Sequence, residues 1–290
     1  MAENFIQVYL ALACLAFLPL GCVLFADLKN GYLSFLRPLI FYGKTLSENN
    51  WLSTLSVRKS SFYQFYVVGA FLSGTFAIMA LAFPAVLQAF SFHLTWFGYT
   101  YNPTSREVMV TLLLCFTIHT IRRLYECLFI SSYSESRINV AHWIMGILHY
   151  TFFPCALVAE SSFSTHSSIS YTQLFFIFAF VLANYQQHII ARDFANLRKG
   201  SDGKVLNFRH KVCLDGLHKL VCCPHYFCEV IIYLAFVGIS NFKSSNLIFF
   251  FIFVLANQLI AAKTNQIWYK NKFRGNKLVI KRKALIPYVF

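Results

Sequence analysis

Seven apolar stretches, each near the length that crosses a bilayer, constrain this chain more than any other feature. About 20 consecutive apolar residues span the hydrocarbon core as a helix. Such runs read off at 5–25, 62–83, 108–130, 140–159, 171–190, 226–240 and 247–262. Inside a bilayer a single segment satisfies its backbone polar groups only as a helix. The expected fold is therefore all-α: a polytopic membrane protein, a seven-transmembrane-helix bundle forming one domain over residues 1–290. Charged residues make up only 12% of the chain, against roughly 25% in soluble domains.

The net charge of +14 could suggest a nucleic-acid partner, but its placement argues otherwise. Of the 25 Lys and Arg, only Arg106 and Lys243 fall on one side of the seven-span layout. The rest cluster after the first span, at the end of the third, after the fifth and in the tail. Lys and Arg concentrate on the cytosolic side of membrane proteins. The expected orientation therefore has the N-terminus luminal and the C-terminus cytosolic. Nine cysteines lie in apolar segments or beside a basic loop, not in a secreted disulfide framework. His210, Cys213, His218, Cys222, Cys223, His225 and Cys228 invite a zinc reading, but their spacing matches no paired-ligand pattern, and no metal is expected. Residues 1–4 lack the basic patch of a cleavable signal.

Polar side chains at membrane depth are costly and mark function. The third span ends in His119-Thr120-Ile121-Arg122-Arg123-Leu124-Tyr125-Glu126-Cys127. His119, Arg123 and Glu126 share a helix face. Two arginines snorkelling to headgroups, with Glu126 neutralising one, account for this spacing. So does a cationic wall for a phosphate-bearing cofactor, with a polar group facing substrate. Asn184, His188 and Arg192 repeat the pattern in the fifth span, just before Arg198-Lys199. In the sixth, Glu229 lies within one turn of His225 and Tyr233, and needs a partner if buried. No Rossmann glycine pattern, Walker motif or His-Glu-x-x-His is present.

The ending Arg282-Lys283-Ala284-Leu285-Ile286-Pro287-Tyr288-Val289-Phe290, preceded by Trp268-Tyr269-Lys270-Asn271-Lys272-Phe273, resembles the C-terminus of the steroid 5α-reductase family. Arg122-Arg123-Leu124-Tyr125-Glu126-Cys127-Leu128-Phe129-Ile130-Ser131 resembles its polyprenol (polyprenal) reductase branch. The resemblance implies an NADPH-dependent double-bond reductase of the endoplasmic reticulum membrane, acting on an isoprenoid lipid in dolichol synthesis for protein N-glycosylation. It implies cofactor contacts at Arg123, Asn184, His188, Arg198, His225 and Tyr269. Residues 122–290 would form the cofactor-binding part and 1–121 the substrate side. His188 stands where the steroid enzymes have Asp, His225 where many relatives have Asn, and Asn265-Gln266 where His is usual. The Gln-Glu pair of steroid-reducing relatives is absent from Ser61-Phe62-Tyr63-Gln64-Phe65-Tyr66, which argues against a steroid as main substrate.

Hydride adds to a carbon–carbon double bond when an electron sink is conjugated with it. A polyprenol has none; polyprenal, with its aldehyde, does. The expected reaction is therefore polyprenal to dolichal. His119 is the expected group on the aldehyde oxygen, with Tyr63 or Tyr66 as partner and Glu126 as a further catalytic polar group. The other readings are a steroid 3-oxo-Δ4 reductase, an isoprenylcysteine-type methyltransferase, and a seven-span receptor or lipid transporter.

Overall fold

The computed structural model describes residues 54–94, 103–163, 167–200, 203–208 and 210–290. The expected first span, 5–25, lies outside them. Eight helices follow in the described residues: α1 (Tyr63–Ala82), α2 (Pro84–Leu94), α3 (Arg106–Tyr125), α4 (Val140–Ala159), α5 (Tyr171–Asn196), α6 (Pro224–Ile239), α7 (Ser245–Lys272) and α8 (Lys277–Lys281). Five helical segments are long and apolar enough to cross a bilayer: Lys59–Ala82, Arg106–Ile130, Val140–Ala159, Tyr171–Asn196 and Ser245–Lys272. The chain is a polytopic membrane protein.

Two departures from the hydropathy reading have local causes. Residues 84–94 were not assigned to any element, yet they form α2. Pro84 cannot continue α1 but is well suited to the first position of a new helix. Phe83 before it leaves helical geometry at φ −135°, ψ 55°, as a residue preceding proline tends to do. The expected sixth span is α6, with 16 residues. At 1.5 Å per residue that is about 24 Å, short of a 30 Å core. Ten of those residues are buried, packed between α5 and α7. Its apolar composition thus serves helix packing as well as membrane depth.

Helix starts are set by capping. Ser105 accepts from the Val108 N–H, Asn139 from Ala141 and Ser244 from Leu247. Ser170 and Gln173 form a reciprocal capping box. Each cap satisfies an N–H that the first helical turn leaves free.

Two small sheets mark the two ends of the bundle. Strands β1 (Ser56–Arg58) and β3 (Arg137–Asn139) pair antiparallel where α1 and α4 begin. Strands β2 (Thr104–Ser105) and β4 (Ser161–Ser162) pair in parallel at the opposite end. The first end gathers Lys59, Arg122, Arg123, Arg192, Arg198 and the lysines closing α7. Arg106, bonded to the Ala80 carbonyl, and Lys243 lie at the other. Charge is therefore sorted along the bundle as the loops suggest.

The end away from the basic residues is held by one carboxylate. Glu160 is buried just past α4 and accepts from Ser244 and Ser245 hydroxyls and from the Asn246 N–H at 3.2 Å. It thereby caps α7. Burial pushes its carboxyl up to about 6, against the pull of those hydrogen bonds. Between the two ends lies an aromatic core. Phe116 stacks on Phe153 at 4.3 Å, and Phe153 meets Phe236 and Phe250, each at 5.1 Å. Helices close up around it at glycines: a Cβ on Gly146 would sit 2.6 Å from the Phe65 ring.

Candidate active site

The basic end carries a continuous buried polar network between α3, α5 and α6. Its centre is Arg122. That guanidinium donates to Glu126 Oε1 at 2.6 Å, to Asn184 Oδ1 at 3.0 Å and to Gln187 Oε1, and it lies 3.2 Å from His119 Nδ1. Glu126 is fully buried and meets two arginines and an imidazole at once. Arg122 and His188 Nδ1 (3.0 Å) approach Oε1, and Arg123 approaches Oε2. Such closeness is what makes a buried carboxylate tolerable: removing one partner would leave an uncompensated charge.

A π-helical turn, Glu126–Ile130, ends α3 here. The Ser131 N–H reaches the Glu126 carbonyl at 2.8 Å, five residues back. Wide turns of this type are frequent at functional sites. This one carries Glu126 at its start, against Arg122 and Arg123 of the preceding turn.

Gln187 ties the second carboxylate into the network. Its amide nitrogen donates to Glu229 Oε2 at 2.6 Å and to the His225 carbonyl at 3.0 Å. His119 is completely buried, with Nδ1 3.0 Å from Asn184 Oδ1. Its Nε2 lies 3.6 Å from Glu229 Oε1, an ion-pair distance too long for a hydrogen bond, and among the described residues no other group bonds it. Nδ1 faces both Asn184 Oδ1 and the Arg122 guanidinium, which hold the ring from that side and leave Nε2 without a hydrogen bond. A buried ring nitrogen with no hydrogen bond is unfavourable, so this atom is available to a ligand.

Of the expected catalytic residues, His119 and Glu126 thus lie in one network. Tyr66 joins it by another route: its hydroxyl accepts from Arg123 at 3.1 Å, and that guanidinium lies over its ring. Tyr63 is 38% exposed at the start of α1, where no contact links it to His119. Among the expected cofactor contacts, Arg123, Asn184 and His188 lie in the network and His225 touches it through its backbone. Arg198 sits in the loop after α5, bonded to the Ser132 carbonyl and placed over the Phe208 ring. Tyr269 packs against Trp268 and Phe273 in the C-terminal cluster.

A cleft of about 360 Å³ opens beside the network, lined by Tyr125, His188, Arg192, Asn196 and Lys199 among others. Its imidazole and two long cationic side chains suit phosphate groups. Spacing along the chain disfavours zinc, but spacing does not register contacts made in three dimensions. The fold brings donor atoms of Asp193, Cys213 and His218 within 4.8 Å of one another. Arg282, donating to the Cys213 carbonyl at 2.6 Å, already brings positive charge to that cluster. Burial, with Arg282 adding to it, pulls His218 down to about 4, so its ring is neutral at pH 7.

Residues 133–290 match the family model described as 3-oxo-5-alpha-steroid 4-dehydrogenase. The chain belongs to the steroid 5α-reductase family. A polyprenal reductase of Caenorhabditis elegans is 34% identical over 272 residues, covering 87% of this chain and 86% of the relative. Polyprenal reductases of Danio rerio and Xenopus tropicalis are 29% and 28% identical, with 87% and 89% coverage of both chains. Within the family the chain therefore falls in the polyprenal reductase branch, and it is an oxidoreductase acting on carbon–carbon double bonds.

Sequence reasoning passed over two parts of this family member's interior. Arg122 and Gln187 were not counted as site residues, although Gln187 follows Asn184 by three positions on the same helix. His149 and Tyr233 were not paired, yet His149 Nε2 meets the Tyr233 hydroxyl at 2.6 Å within the aromatic core. Nothing along the chain signals that second contact, because its partners lie 84 residues apart.

Proposed function

We infer that this protein reduces the α-isoprene double bond of polyprenal to give dolichal, with NADPH as reductant, in the endoplasmic reticulum membrane. The observation that carries the reading is the orphaned Nε2 of His119, buried among groups that fix its ring. The branch membership supports the lipid substrate. The cationic cleft and the residues around it fit a phosphate-bearing cofactor. His188, Arg192 and Lys199 would hold its phosphates, with Arg198 closing from the loop, and Asn184 and Glu229 lie where a carboxamide ring could be oriented. When bound, NADPH supplies the hydride that reaches the β carbon.

The chain's own part is polarisation and placement. His119 Nε2–H donates to the aldehyde oxygen and stabilises the enolate charge that develops there, and a proton taken from water at the α carbon then completes the two-hydrogen addition. Arg122 and Asn184 hold the ring so that this nitrogen faces the substrate. Both oxygens of Glu126 are committed to Arg122, Arg123 and His188, so it acts by positioning those side chains. Tyr66 steadies Arg123. The isoprenoid tail stays in lipid between helices, and the polar network keeps to the end that faces the cytosol. The seven-span layout completes this reading, with residues 1–121 toward substrate and 122–290 toward cofactor.

The test incubates the purified chain with polyprenal and NADPH. A two-hydrogen mass gain that requires the cofactor supports the assignment. Conversion of a 3-oxo-Δ4 steroid at a higher kcat/KM than polyprenal would replace it. His119→Ala should lower kcat by about 10²–10⁴-fold, the range of a general acid, with the NADPH titration unchanged. Near-normal turnover in that variant would remove the role.

A further inference from the structure

The loop between α5 and α6 folds back on the end of α5 and gathers three donors of different chemistry. Asp193 stands in the last turn of α5, and Cys213 and His218 lie in the loop. One donor atom of each lies within 4.8 Å of the other two. Gly216, at φ +51°, takes the left-handed conformation open to glycine and lets the chain double back between Cys213 and His218. The Phe194 ring packs T-shaped on the His218 imidazole at 5.0 Å and fixes its plane.

His218 is 2% exposed, and its Nε2 has no hydrogen bond among the described residues. A buried ring nitrogen left unbonded is costly. Asp193 Oδ2 stands 3.9 Å from it, too long for a hydrogen bond. That distance is close to the spacing of two ligands on one ion. Donors about 2.0–2.3 Å from a tetrahedral zinc lie about 3.3–3.8 Å apart, so a movement of about 1 Å or less seats all three. The Asp193 side chain, 30% exposed at the helix end, has room to make it.

The charge around the donors suits a cation. Cys213 is buried, and the Asp215 N–H donates to its sulfur, a contact that favours the thiolate. The Asp215 carboxylate is also within electrostatic reach of Asp193 and His218. Arg282 bonds the Cys213 carbonyl rather than any of the three donors. With the thiol ionised, the thiolate and two carboxylates face Arg282 and Arg192, and the excess negative charge attracts a cation.

We propose that Asp193, Cys213 and His218 bind a zinc-class divalent ion, with water in the fourth position. Binding forms metal–oxygen, metal–sulfur and metal–nitrogen bonds, and the thiol proton passes to solvent. A sulfur and an imidazole beside a carboxylate suit zinc rather than magnesium or calcium, which take oxygen ligands. The ion staples the loop to the helix that carries His188 and Arg192, and so steadies one wall of the cationic cleft. It takes no part in hydride transfer.

The full chain, purified in neutral detergent without chelator, is analysed for metal by inductively coupled plasma mass spectrometry and then titrated with zinc. It should bind about one zinc per chain, as a single three-ligand site does. Cobalt(II) put in its place should show a thiolate-to-metal charge-transfer band. Cys213→Ser should abolish that band. Asp193→Asn, a conservative change at a partly exposed side chain, should weaken zinc by more than about tenfold, since even groups that only support the ligands contribute about 10–100-fold. Its metal-free melting temperature should match that of the metal-free parent, which separates a lost ligand from a lost fold. Cys222→Ala with Cys223→Ala should keep both the band and the affinity. A parent chain that neither carries zinc nor takes it up saturably overturns the proposal. So does a charge-transfer band that survives Cys213→Ser or vanishes with Cys222 and Cys223, and so does an unchanged zinc affinity in Asp193→Asn.

Discussion

The two ends of the bundle use buried carboxylates for opposite purposes. At the end holding Arg106 and Lys243, Glu160 receives hydroxyls and a backbone N–H, and these contacts fasten one helix start to one loop. At the basic end, Glu126 and Glu229 meet side chains that also meet each other, and among the described residues the network leaves His119 Nε2 without a hydrogen bond. A structural carboxylate consumes its surroundings; a functional one arranges them around a vacancy in the hydrogen bonding. The difference lies in the partners: caps are local and saturate, whereas arginines and amides on two helices can be held in register.

The largest effect that should separate the two ends is on stability. Glu126→Ala leaves Arg122 and Arg123 without their shared carboxylate. Removing one member of a buried ion pair costs about 3–5 kcal/mol, so thermal unfolding in detergent should fall well below that of the parent. A change within 1 kcal/mol would mean the arginines are solvated rather than paired. The aromatic core between the ends should respond less. Phe153→Ala removes a ring stacked on Phe116 and should cost about 3 kcal/mol, mostly from lost packing and a residual cavity. Its NADPH titration should not move, which distinguishes it from changes in the network.

The smallest effect is a pH dependence confined to the Glu160 end. A carboxyl whose folded pKa, about 6, lies above its ordinary value near 4.5 favours the protonated form in the fold. Its contribution is fully present below about pH 4.5 and is lost as pH rises through 6. At about 1.4 kcal/mol per unit, that amounts to about 2 kcal/mol. Melting temperature should therefore fall between pH 5 and 7, and Glu160→Gln should flatten that slope. A slope unchanged by the substitution would assign it to another group.

The sequence made some of this legible and hid the rest for physical reasons. Hydropathy is a property of consecutive residues, so the long helices could be read directly, and the sorting of Lys and Arg followed from the loops. The helix α2 was missed because 84–94 continue the apolar run of α1, with only Pro84 marking the break. Asn184 and His188 were found because four-residue spacing puts them on one face. Arg122 was undervalued because Asn184 and Gln187, its partners, sit 62 and 65 residues further along. Tyr66 was expected beside His119 but reaches Arg123, a matter of how α1 crosses α3, which no spacing within either helix encodes.

The short strands at the two ends also bear on how the chain is made. β1 leads into α1, yet its partner β3 comes some 80 residues later, just before α4. Likewise β2 waits for β4, which is synthesised only after α4 is complete. An emerging chain therefore holds α1 and α3 with both flanking edges unpaired until β3, just ahead of α4, closes one rung and β4, just behind it, closes the other. Assembly of the first half thus depends on a single late-arriving helix, and a ribosome stalled before residue 162 would leave a bundle that cannot latch at both ends.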